Sequence, residues 1–394
     1  MDYDSLHRRT TFAKISTIQL RDLLERMFPL PATTIFARSF ICFTTDLKLL
    51  FMSPSHSPEL HCALTAVRQA AAVCRSLQAS MDPDALEKKD KSPVTIADFA
   101  SQALICRQLQ LDFPGDPVIG EEGASELRQP KGEAFLKQIR QECTTAGVQC
   151  SEDDVCDWID RGSLQDYRPR FWTLDPIDGT KGFLRKDQYA VSLALIVDGR
   201  IVVGVLGCPS LPVDSDRPDG LRGVLAWAAA GKGSWMAPLE AAESAPVRLK
   251  VTGTDQTPNA RFCESVESGH SSHDWSRQIA STLNITREPF RIDSQCKYLA
   301  VARGDADIYL RLPTRKGYQE KIWDHAGGVI LVKEAGGYVT DIHGWPPEFN
   351  HGRTLSTNEG MIVTNGQFHQ QVIDAVGRHA PASDIIHSGG KKSG

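Results

Sequence analysis

The 394-residue sequence contains no apolar run approaching the roughly 18 residues that a membrane-spanning helix needs, so no such helix is expected. It has no CxxC pair. Its ten cysteines are scattered, several within apolar helix or strand patterns, which favours reduced, buried thiols over a disulfide framework or a zinc site. Glycine (31) and proline (22) are near average, so collagen-like and low-complexity readings fail. Nor is there a basic excess. A net charge of −5 and a pI of about 6.1 argue against a protein built to coat nucleic acid. No internal repeat is found. What remains is 24% charged and 41% hydrophobic residues, an ordinary globular composition with enough apolar side chains for a sizeable core. The length suits one large domain or two of common size.

The first 55 or so residues read differently. Arg8, Arg9, Lys14, Arg21, Arg26 and Arg38 accompany several Ser and Thr and an apolar stretch near Phe40–Phe43. Three readings stand: a basic, amphipathic mitochondrial presequence, a poorly ordered extension, or translation starting at Met52. Asp2, Asp4, Asp22 and Glu25 weigh against the presequence, since transit peptides avoid acids. No apolar segment follows a short basic start, so a secretory signal is not expected. The expected location is the cytoplasm, or the mitochondrion if residues 1–55 target it there.

Order should begin at Ser57-Pro58-Glu59, where a cap, a proline suited to the first helical position and an acid at the positive helix end coincide. A second helix is predicted over Thr95–Leu111, after a charged loop at 88–93, and a short strand over Val118–Gly120. Residues 124–168 read as helix plus surface loop. Phe171–Leu174 reads as a buried strand stopped by Asp175-Pro176, and Asp198-Gly199 marks a hairpin between strands 189–197 and 201–206. Asp214–Gly220 is an exposed loop and a candidate junction. Three segments follow: an extension (1–55), an N-terminal α+β domain carrying most candidate ligands (56–210) and a C-terminal α/β domain (211–394). In the last, strands are predicted near 224–230, 247–251, 261–266, 305–311 and 360–364. Helices are predicted near 272–283, 295–303, 324–335 and 367–377, with Gly336-Gly337 ending the third.

The most informative stretch is Asp175-Pro176-Ile177-Asp178-Gly179-Thr180-Lys181-Gly182. A buried strand delivers two carboxylates, three residues apart, into a turn where Gly179 lets backbone approach a ligand. If Thr180 opens a helix, its N–H groups form an anion seat. Carboxylates beside such a seat repel: at ~4 Å each like-charge contact costs on the order of 1–4 kcal/mol, so the arrangement makes sense only with bound cations. A plain surface turn would use the same residue types, but the apolar strands on both sides oppose it. A calcium EF-hand loop fails on spacing, because Lys186 stands where the bidentate Glu belongs. Glu121, Asp175, Asp178 and Asp324 each sit where a regular element meets a loop. Taken singly, Glu121 and Asp324 read as an exposed acid and a helix cap, and His325 as structural. All the candidates are oxygen ligands, which selects hard cations and Mg²⁺ above all for phosphate chemistry.

Three segments in this order form a family pattern: Val118-Ile119-Gly120-Glu121-Glu122, then Trp172–Thr180, then Trp323-Asp324-His325-Ala326-Gly327-Gly328 with Glu334-Ala335-Gly336-Gly337. They resemble the lithium-sensitive, magnesium-dependent phosphomonoesterases of the inositol monophosphatase superfamily over about residues 57–380. Lys181–Arg185, Gly269–His273, Asp293–Tyr298, Ala306–Pro313 and Glu320–Asp324 carry a further resemblance, to the branch acting on 3′(2′),5′-bisphosphate nucleotides in fungi and plants. The resemblance implies an α-β-α-β-α sandwich of two stacked sheet-and-helix regions, with the site between them. It implies two or three Mg²⁺ held by Glu121, Asp175, Asp178, Asp324 and the Ile177 carbonyl, with Asp98 and Thr180 orienting and deprotonating the attacking water. Gly179 and Thr180 would seat the scissile phosphate. His270, Ser294, Lys297 and Arg311, with Asp324, would hold the nucleotide and its second phosphate. Without the resemblance, Lys297 and Arg311 read as surface charge and Ser294 as a helix cap. Gly327-Gly328 stands where relatives more often carry an Ala, a difference expected to touch helix stability more than chemistry.

The implied activity is removal of the 3′-phosphate from adenosine 3′,5′-bisphosphate, and from its 5′-phosphosulfate analogue. A small nucleotide would be the only partner, with no nucleic acid or membrane, and the chain a monomer. Two alternatives remain: an inositol phosphate phosphatase of the same superfamily, and a non-catalytic nucleotide sensor.

Overall fold

A computed structural model of the chain describes residues 58–81, 92–241, 244–266, 273–313, 315 and 317–379. The proposed presequence, the 88–91 part of the charged loop and His270 lie outside them. Helix α1 (Pro58–Ser80) starts where the Pro-Glu signal places it, and α2 (Ser92–Asp112) begins three residues before the predicted Thr95. After β1 (Val118–Gly120) come α3 (Glu133–Thr145) and α4 (Glu152–Asp160), the latter closed by a reciprocal cap between Ser151 and Asp154.

The chain then builds a seven-stranded sheet in sequence order: β1, β2 (Arg170–Asp178), β3 (Ala190–Val197), β4 (Arg200–Pro212), β5 (Arg222–Ala229), β6 (Ser234–Pro238) and β7 (Val247–Arg248). Only the β1–β2 pair is parallel. The 214–220 loop, read as a junction, links β4 to β5, neighbours in this one sheet. A second sheet has the order β11–β12–β10–β8–β9, from β8 (Phe262–Glu264), β9 (Phe290–Arg291), β10 (Ile308–Arg311), β11 (Tyr338–Thr340) and β12 (Met361–Thr364). Its helices are α6 (His273–Thr282) and α9 (His369–His379). Between the sheets lie α7 (Cys296–Ala302) and α8 (Ala326–Glu334), while the five-residue α5 (Thr180–Leu184) follows β2.

Strand alternation explains the layering. On β2 and β3, Trp172, Leu174, Leu193 and Leu195 pack with α1 and α2, whereas Phe171, Ala194 and Ile196 pack with α7 and α8. On β10 and β12, Tyr309, Met361 and Val363 face the same central helices; Ile308, Leu310 and Ile362 face α6 and α9. The result is the α-β-α-β-α sandwich that the family resemblance implies. Each fully buried Leu, Ile or Phe in these interfaces contributes about 1.5–3 kcal/mol. The nine described cysteines are all free and eight are buried, as their apolar settings predict. No described helix is long and apolar enough to cross a membrane.

Two local expectations change. The strand predicted to stop at Leu174 continues through Asp175-Pro176 to Asp178. Its pairing with β3 shifts register between Asp175 and Asp178, and this irregularity accommodates a proline that cannot donate to the ladder. The Gly327-Gly328 pair is a packing requirement rather than a helix weakness. A methyl at Gly327 would lie 2.6 Å from Ser192 Oγ, and one at Gly328 would run into the Tyr298 ring.

Candidate functional site

The same alternation that buries Trp172 and Leu174 under α1 and α2 turns Asp175 to the opposite face, between the first sheet and the central helices. Asp175 is 2% exposed, and its Oδ1 has no hydrogen-bond partner. Glu121, at the end of the neighbouring parallel strand, brings its carboxyl within hydrogen-bonding reach of Asp175 while keeping an edge in solvent. Asp178 stands at the end of β2, and Asp324 closes a short 3₁₀ turn (Ile322–Asp324) ahead of α8. Asp98 arrives from α2, whose Ser101 Oγ donates to the Pro176 carbonyl at 3.0 Å.

The electrostatics show how close these acids stand. Lost hydration, then Glu122 and Asp178, push Glu121 up to about 7. Burial, with Asp178 and Glu121 opposing Arg311 and His325, pushes Asp324 up to about 7. Burial and the charges of Glu121, Asp178, Asp324 and Asp98 hold Asp175 well above the usual carboxylate range. Asp98 is raised by burial, then by Glu122 and Glu121. Asp178 is raised by burial against the opposing pull of Lys297, the Gln295 N–H, Arg311 and His325. The charges of Glu121, Asp175, Asp178 and Asp324 therefore act on one another as one acidic cluster, with Asp98 at its side.

The turn after β2 is shaped by Gly179, which adopts φ +94° and approaches Ser294 so closely that a Cβ would sit 2.9 Å from the serine Cβ. Thr180, the first residue of α5, is exposed, and no hydrogen bond joins it to Asp98 among the described residues. Ser294 is itself left-handed (φ 65°) and its Oγ accepts from the Cys296 N–H. Lys297 is buried at 5% exposure, below its usual pKa through desolvation, with its ammonium 5.2 Å from the Tyr309 ring centre. Arg311 Nε donates to both Glu320 oxygens at 3.1 Å, and its NH2 group lies 3.6 Å from Asp324. The surface-charge reading of these two cations therefore does not hold. Ile177 buries its side chain in the core under α1 and α2, which leaves only its main chain to serve as a ligand.

Glu320, Asp324 and His325 also cluster closely enough to hold an ion. Two of them are already engaged. His325 is buried, with Nδ1 on the Tyr298 hydroxyl (2.7 Å) and Nε2 on Glu320 (3.2 Å). Burial alone would raise Glu320, but His325 and Arg311 hold it at about 2. The one buried carboxylate oxygen without a hydrogen-bond partner among the described residues is instead Asp175 Oδ1. A buried carboxylate oxygen without a partner, surrounded by oxygen donors alone, fits a hard divalent cation.

Three positioning side chains escape a reading of the sequence. Gln102 Nε2 donates to the Glu122 and Ile159 carbonyls (2.7 and 2.9 Å), and its Oε1 accepts from the Glu122 N–H (3.1 Å). Gln295 donates its N–H to Asp178 Oδ2 (2.5 Å) and its Nε2 to the Trp323 carbonyl (2.9 Å), while Oε1 accepts from the Gly328 N–H (3.0 Å). Arg353 donates to the Gly120 carbonyl (2.8 Å) and stacks on Trp323. The one available signal was spacing: Gln102 lies one helical turn after Asp98.

Comparison with known proteins fits this geometry. A model described as the inositol monophosphatase family matches residues 56–380. Proteins named 3′(2′),5′-bisphosphate nucleotidase are similar over 82% of this chain: those of Schizosaccharomyces pombe and Emericella nidulans are each 42% identical (95% and 98% of their lengths), and that of Oryza sativa 40% (94%). Among solved structures, Mycobacterium tuberculosis SuhB superposes with a TM-score of 0.53 at 21% identity, covering 83% of this chain and 99% of that one. A Thermotoga maritima IMPase gives 0.52 at 19%, covering 80% and 96%. At such identities these two support the fold alone.

Proposed function

We propose, from the premise that this chain belongs to the inositol monophosphatase family, that it is a divalent-metal-dependent phosphomonoesterase acting on 3′-phosphorylated nucleotides. The substrate proposed is adenosine 3′,5′-bisphosphate, cleaved to AMP and phosphate, with the 5′-phosphosulfate analogue as a second. The curated relatives' name supports this choice. The observation that carries the reading is the crowding of Glu121, Asp175, Asp178 and Asp324 into one acidic cluster around a buried Asp175 oxygen that has no hydrogen-bond partner.

These four carboxylates, with the Ile177 carbonyl, would hold Mg²⁺. When bound, the ions would draw charge from the phosphate and make a nucleophile of water at neutral pH. The chain's own residues supply the rest. Asp98 would accept the proton of the attacking water, a role supported by its burial and its acidic neighbours. Thr180, exposed at the start of α5, would help orient the same water, and the Gly179 and Thr180 N–H groups would seat the phosphate oxygens. Lys297, beneath Asp178, and Arg311, beside Asp324, supply positive charge toward a second phosphate.

The test is phosphate release from adenosine 3′,5′-bisphosphate beside inositol 1-phosphate, with and without Mg²⁺ and Li⁺. Expected is Mg²⁺-dependent release from the nucleotide that Li⁺ suppresses. Faster release from the inositol ester would transfer the assignment to that substrate. Tight nucleotide binding without release would favour a sensor.

A further inference from the structure

Glu121 and Asp324 reach the acidic cluster from segments about two hundred positions apart in the chain, and one residue touches the backbone or ring next to each. The Arg353 guanidinium donates from NH2 to the Gly120 carbonyl at 2.8 Å and from NH1 to the Leu164 carbonyl at 3.3 Å. Its Cζ lies 4.5 Å from the Trp323 ring centre, the closest cation–π contact among the described residues. Its own carbonyl accepts from the Ile322 N–H at 3.1 Å, and the adjoining Leu355 N–H donates to the Glu320 carbonyl at 2.9 Å. Residues 353–355 thus lie along 320–322, while the side chain crosses to the end of β1.

We infer that Arg353 is a positioning residue that fixes Glu121 relative to Asp324 and thereby sets the affinity of the acidic cluster for a divalent cation. The inference deepens the metal-dependent reading above and rests on it. A planar fork is needed for this. One face stacks on Trp323 while two separate N–H groups reach two carbonyls, and a lysine offers a point charge that cannot do both. Groups that orient ligands in this way typically affect metal affinity 10–100-fold.

The experiment is Mn²⁺ titration of the metal-free full-length protein, followed by the electron spin resonance of free Mn²⁺, for the wild type, Arg353→Lys and Arg353→Met. Thermal midpoints without metal are measured in parallel. Expected is about tenfold weaker binding in the lysine variant, despite its retained charge, and a larger loss in the methionine variant. At saturating metal the lysine variant should recover most of its kcat, so the deficit lies in the metal concentration required. A wild type that binds no Mn²⁺ would overturn the metal reading itself. A wild type that binds, with a folded lysine variant binding equally well, would overturn the role of Arg353 alone. If the methionine variant does not fold, the lysine variant decides. A lysine variant with lowered thermal midpoint and kcat but unchanged Mn²⁺ affinity would make Arg353 purely structural and also overturn the inference.

Discussion

On one side of Asp324, Arg311, Glu320, His325 and Tyr298 are withdrawn from water with their bonds matched; on the other, Glu121, Asp175 and Asp178 are crowded together with theirs largely unmatched. The two clusters meet at one carboxylate, and the second opens to solvent at Glu121. In the first, every charge has an opposite within hydrogen-bonding distance, and Glu320 falls to about 2. In the second, like charges face each other, and Glu121 and Asp324 rise to about 7. A buried cluster that stabilises the fold saturates its bonds. A buried cluster that leaves oxygens unpaired keeps them for something that arrives from solution.

The largest test of this contrast is Asp175→Asn. Turnover should drop roughly a thousandfold or more, while the thermal midpoint of the metal-free protein holds or rises, because a repelled charge has gone. Calorimetry in chelator beside a phosphate-release assay reads both, and a variant that keeps wild-type turnover ends the claim. The mirror experiment is Glu320→Gln. Removing the charge that Arg311 depends on should cost about 3 kcal/mol of stability, read as a lower denaturation midpoint. A smaller loss here than in Asp175→Asn would reverse the comparison.

The smallest effect is the pH dependence of the metal-free fold. Glu121 and Asp324 bind protons more tightly folded than unfolded, so the stability they contribute is complete below about 4 and is lost as pH rises through about 7. Glu320 has the opposite sign, and its contribution fades only toward about 2. Between pH 5 and 8 the midpoint in chelator should therefore fall by a few degrees, and Mg²⁺ should abolish that slope. A midpoint that climbs across this range in chelator would refute the assignment of unmatched acids.

The sequence made Asp175 and Asp178 visible because apolar strands flank their turn on both sides, which a plain surface turn of the same residue types would lack. Helix starts followed from Pro58 and Glu59, and the β3–β4 hairpin from Asp198-Gly199. What was hidden depended on neighbours distant in the chain. Nothing local says that Pro176 falls in a register shift and lets β2 run on, or that the short β6, β9 and β11 find partners. Gln102, Gln295 and Arg353 look like surface residues when read singly, since an amide or guanidinium acquires its role only from the carbonyls it meets. Gly328 misled in the same way, for its cause is the Tyr298 ring rather than its own helix.

Arg353 has a consequence for how the protein comes into being. Synthesis runs from the N-terminus, so the segments bearing Glu121, Asp175 and Asp178 emerge from the ribosome long before Asp324, and the brace at 353 follows later still. The cation cradle is therefore complete only once synthesis has passed residue 353, and a chain halted before Asp324 lacks one of the four acids altogether.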